Sequence, residues 1–79
     1  MKMYAIVVDT GRCCWWQMFY SNGKITAIGP ECTTKSNAKR SLRNFSNNVG
    51  VRLEKAIIRT NWPKDQFIVR NGEGISASK

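Results

Sequence analysis

The chain has no histidine and, across 79 residues, only five acidic side chains. Histidine is the side chain that most readily moves protons near neutral pH. Without it, general acid–base work would fall to Asp9, Glu31, Glu54, Asp65 and Glu73, which are scattered along the sequence. A nucleophile, a base and an orienting group are not assembled by that pattern. Neither catalytic residues nor a cofactor are expected, and the chain does not read as an enzyme.

Cysteine is sparse too. Cys13, Cys14 and Cys32 are odd in number and lack the spacing of a disulfide framework. Free thiols in a reducing, cytoplasmic setting follow. Three thiolates would need an Asp or Glu, or another chain, to complete a zinc site, so no metal is expected. Arg12 beside Cys13-Cys14 could lower a thiol pKa, but vicinal cysteines on or near a strand read first as structural. Long apolar runs are missing as well: Tyr4 to Val8 gives five apolar or aromatic positions before Asp9. That is too short for a signal-peptide core or a membrane span. Asn22-Gly23-Lys24 lacks the extra glycines and the following helix of a phosphate loop.

What the chain does have is positive charge. Thirteen Lys and Arg against five acids leave +8 at pH 7, with a pI near 10.0. Such a field draws polyanions, nucleic acid above all, or an acidic protein surface; its bland use is solubility. Hydrophobic residues at 42% are ordinary for a folded chain. The length suits one domain over 1–79, near the lower limit for a self-sufficient core.

The organising stretch is Trp15 to Asn47. Cys14 to Tyr20 alternates at period two, with Cys14, Trp16, Met18 and Tyr20 on one side and Trp15, Gln17 and Phe19 on the other. Both sides are apolar or aromatic, which predicts a strand covered at least in part on both faces, or an aromatic row left for a partner. Asn22-Gly23 predicts a type I′ hairpin turn, after which Lys24 to Ile28 returns and Gly29-Pro30 stops the strand. Thr34 or Ser36 is the expected N-cap of a helix. Ala38, Leu42, Phe45 and Val49 then form one apolar stripe, with Arg40 and Arg43 pointing away and Lys39 on its flank.

Around this unit, 14–49, the sequence predicts a first strand over Tyr4 to Asp9 and C-terminal strands within 55–78. These are a strand near Lys55 to Arg59, a loop at Asn61 to Asp65, a strand over Phe67 to Arg70 and a short strand at Ile75 to Ser78. The fold class is α+β: a small antiparallel β-sheet with one α-helix packed on one face. An internal echo runs through it. Gln17 to Ala27 lines up with Gln66 to Ala77, both reading strand, Asn-Gly turn and Ile-x-Ala strand.

Trp16 to Gly29, followed by Thr34-Lys35-Ser36-Asn37-Ala38, resembles the small YegP-like domains of unknown function, over residues 14–47 or so. Asn71 to Ser78 looks like the same turn again. The resemblance implies tandem units or a homodimer that shares its sheets, and it brings no activity. Lys24 departs from the family's acidic residue after Asn-Gly, and Cys32 stands where an aromatic is customary.

Two roles follow for a basic module without catalysis. The first is nucleic-acid binding, with Trp15, Phe19 or Tyr20 stacking unpaired bases while Lys35, Lys39, Arg40 and Arg43 follow the phosphates. The other is protein interaction, as a homodimer or as an inhibitor or adaptor encoded by a phage or other mobile element.

Overall fold

A computed structural model describes residues 2–71. The elements run β1 (Met3–Asp9), β2 (Cys14–Tyr20), β3 (Ile25–Ile28), α1 (Lys35–Val49), β4 (Val51–Lys55) and β5 (Gln66–Asn71). The strands form one sheet in the order β3-β2-β1-β5-β4, with every neighbouring pair antiparallel. The fold is α+β, as expected.

Helix α1 leaves the β3 edge, crosses one face and delivers the chain to the β4 edge. Its 15 residues span about 22 Å at the usual rise. Five strands make a sheet about 19 Å wide, so the helix is long enough to cross it. Thr34 caps the start, its Oγ1 accepting from Asn37 N at 3.2 Å. Gly50 ends the helix in the left-handed region (φ 77°), where glycine avoids the Cβ penalty, and β4 begins at the next residue.

Beneath the helix, Ala5 and Val7 of β1 lie beside Met18 and Trp16 of β2, and with Cys14, Ala38, Leu42 and Val69 they make the core. Trp16 is the largest side chain there. Its indole Nε1 donates to Ser41 Oγ at 3.0 Å, and its ring lies 4.8 Å from that of Phe45. Gly29 passes directly over this indole, its N–H donating to Trp16 O. Burial and the charge of Asp9, then its neighbouring thiols, push the Cys14 thiol up.

The opposite face is covered by a loop. Trp62 packs edge-on against Phe19 (5.1 Å) and Tyr4 (6.0 Å). Gln66, buried on this face, holds the loop from β5: its Oε1 accepts from Ile58 N and Arg59 N, and its Nε2 donates to Arg59 O at 2.7 Å. One side-chain amide thereby satisfies three loop backbone groups that no strand partner reaches.

Three expectations need correction. The strand placed near Lys55 to Arg59 lies at Val51–Lys55, because Val51 and Leu53 alternate onto the helix-facing side while Ile57 and Ile58 belong to the Gln66-bound loop. The Asn22-Gly23 turn is not type I′, since only Gly23 has positive φ (94°). Gly23 N donates to Tyr20 O, and Asn22 Oδ1 accepts from Lys24 N, the pattern of a three-residue loop with glycine in the left-handed position. Val49, the last member of the apolar stripe, is exposed, and Ser46 is buried instead. The second Asn-Gly turn, the Ile75 to Ser78 strand and most of the second half of the echo lie outside the described residues.

Candidate nucleic-acid interface

Burial places Asp65 at the heart of the positive surface. Asp65 N–H belongs to the chain entering β5, its carbonyl accepts from Val7 N, and its carboxylate turns toward the helix. Three lysines distant in sequence converge on it: Lys39 Nζ at 3.1 Å, Lys35 Nζ at 3.6 Å and Lys55 Nζ at 3.7 Å. The Asp65 side chain is 8% exposed, whereas each lysine keeps much of its surface in water. Burial alone would raise this carboxyl. The hydrogen bond from Lys39 and the charges of Lys39, Lys35 and Lys55 outweigh it and hold the group below the usual carboxylate range. One carboxylate against three ammonium groups leaves the cluster with two positive charges in excess.

Next to this cluster a groove of about 550 Å³ opens between α1 and β4. Lys39 and Arg43 from the helix and Lys55 from the helix-facing side of the strand line it, and Arg52, which alternates to the other side of β4, borders it at the sheet edge. Leu42, Val51, Leu53 and Phe67 supply apolar surface, and Ser46 and Asn47 lie among them. Among the described residues no acidic side chain lines the groove. Buried Ser46 satisfies its own hydroxyl by donating to Leu42 O at 2.9 Å, and Asn47 beside it is exposed.

The structure separates the residues that the sequence grouped. Lys35 and Lys39 meet at Asp65, Arg43 lines the groove, and Arg40 sits exposed on the helix outside it. Trp15 and Phe19 occupy the other side of the sheet. Trp15 is half-buried, with Nε1 donating to Gln17 Oε1 at 3.2 Å. Phe19 is buried under Trp62 and Tyr4 and is not an exposed stacking platform. Tyr20 is half-buried and falls on the helix-facing side. Helix cations and sheet aromatics therefore do not form one surface. Sequence reasoning did not place Asp65, Arg52 and Lys55 beside the helix cations, since only folding brings them to α1.

Among the described residues no three metal-ligating side chains converge, and no helix is long and apolar enough to cross a membrane. Comparison with family models, curated proteins and solved structures finds no match.

Because Asp65 both anchors and partly neutralises the lysines, Asp65→Asn is expected to have two opposed effects. Stability at pH 7 should fall by about 1–2 kcal/mol, since charge-assisted bonds are lost but the lysines can turn to water. Affinity for a polyanion should rise several-fold as one negative charge leaves. The folded carboxyl is depressed, so its contribution is complete above about pH 4 and is lost as pH falls through the lower folded value. Thermal unfolding of both forms should show the gap closing below about pH 4.

Proposed function

We propose that this chain is a non-catalytic binding module that holds nucleic acid along the groove between α1 and β4. The observation carrying this reading is the groove's lining: Lys39, Arg43 and Lys55, bordered by Arg52, with no acid among the described lining residues, on a chain of net charge +8. Phosphates attract such a cluster through released counterions, and the attraction needs no catalytic group. A cytoplasmic location suits both the partner and the free thiols. The resemblance to YegP-like domains, resting on Trp16 to Gly29 and the Thr34 to Ala38 run, adds no activity to this account.

The test is fluorescence anisotropy of labelled oligonucleotides over a salt series. Neutralisation of about four phosphates predicts a log–log slope of roughly −3, a loss of roughly 50-fold between 50 and 200 mM salt. Affinity insensitive to salt, or none at low salt, would sink the proposal.

A protein partner is the second reading, favoured by the β3 edge. That strand is a sheet edge, and its Ile25 and Ile28 are 48% and 59% exposed. An open edge with apolar side chains can accept a strand from another chain, including a second copy in a homodimer. A clean dimer by light scattering, with no oligonucleotide affinity, would favour it.

A further inference from the structure

We infer that the groove between α1 and β4 takes an unpaired nucleotide, with the base on the apolar floor and flanking phosphates on the cationic rim. This deepens the nucleic-acid reading and rests on it. A purely electrostatic phosphate track needs no greasy floor, yet this one has Leu53 and Phe67 beneath its cations, packed on the core but each half-buried, with an apolar edge left toward the groove. The two are diagonal neighbours across the β4–β5 ladder, in which Lys55 pairs with Phe67 and Leu53 with Val69. They form a short, rigid strip at the width of one pleat, suited to the flat face of a base.

A duplex keeps its base faces stacked inside and offers the groove only sugar and phosphate. A single strand can turn a base onto the floor while its backbone stays on the rim. Arginine further favours this occupant over an acidic peptide, because a guanidinium plane can stack on a base as well as fork a phosphate. Asn47, exposed at the groove, brings an amide that can donate to and accept from a base edge. The volume of about 550 Å³ lies in the range of small-ligand sites. On the other side of the sheet the aromatic cluster is closed by Trp62 on Phe19 and Tyr4, so its rings are engaged with one another.

The test changes the ligand and leaves the protein intact. Anisotropy would be measured at one low salt concentration for an oligothymidine of about twelve nucleotides. An abasic strand with the same phosphates, a hairpin duplex and an acidic peptide of matched charge complete the set. The oligothymidine is expected to bind about tenfold more tightly than the abasic strand and the duplex, the contribution of a single base contact. Equal affinity for all three nucleic acids would overturn the base-binding inference and leave the nucleic-acid reading standing. Tighter binding of the acidic peptide, or no binding of any strand, would overturn both.

Discussion

Replacing Gly29 by alanine is expected to destabilise the domain by about 3 kcal/mol, a large fraction of what a chain of this size has to lose. The reason is the close approach of the Gly29 backbone to Trp16. A β-carbon at that position would overlap the indole, meeting Nε1, Cε2 and Cδ1. The indole cannot step aside freely, because Trp16 is 3% exposed, its ring lies tilted against Phe45 at 4.8 Å, and Nε1 is tied to Ser41. Relief requires either moving β3 away from β2 or tilting the ring and breaking the Ser41 bond. Each route disturbs the contact between the sheet and α1. A melting temperature lower by roughly 15 °C would register the loss. A change of only a degree or two would show that the Trp16 pocket yields more easily than its packing implies.

The second large effect concerns binding. Arg43→Glu with Lys55→Glu is expected to lower oligonucleotide affinity roughly 100-fold at moderate salt, since two phosphate contacts become repulsive. Both side chains are exposed. Arg43 makes no ion pair among the described residues, and Lys55 is only the most distant of the three lysines around Asp65. The fold should therefore persist, as a circular dichroism melt would confirm. Arg40→Glu with Lys64→Glu is the companion pair. It removes the same net charge from two exposed positions that do not line the groove, and it should cost roughly fivefold or less. The contrast between the pairs separates a located site from a diffuse field.

Local physics explains which parts of the fold were legible in the sequence. Five consecutive apolar residues before Asp9, period-two alternation from Cys14 and the stripe through Ala38, Leu42 and Phe45 are each set by neighbours along the chain. Each stands where expected. Ile57 and Ile58 misled because adjacent β-branched residues look like strand. What holds this loop is the side chain of Gln66, whose Oε1 accepts from Ile58 N, eight residues away, and from Arg59 N. Ser46 misled in the other direction. Its hydroxyl bonds one turn back to Leu42 O, which lets a polar residue replace Val49 in the buried stripe.

The binding surface was less legible than the fold. Positive charge was evident from composition, and Lys39 and Arg43 were singled out from the helix alone. Their partners across the groove, Arg52 and Lys55, and the carboxylate of Asp65 come together only through the sheet order that puts β4 beside β5 under α1. Phe19 shows the converse. Alternation gave its face correctly, but nothing local to β2 signals that Trp62 folds back to cover it.

The central claim is that one groove, rather than the charge of the whole chain, binds the polyanion. Its most direct test is the salt slope of oligonucleotide binding for the wild type and the two charge-reversed pairs. A located groove predicts a slope near −3 for the wild type and for Arg40→Glu/Lys64→Glu. For Arg43→Glu/Lys55→Glu it predicts roughly half that value, as two phosphate contacts are lost. Equal slopes for the two variant pairs would contradict the claim and assign binding, if any, to net charge alone.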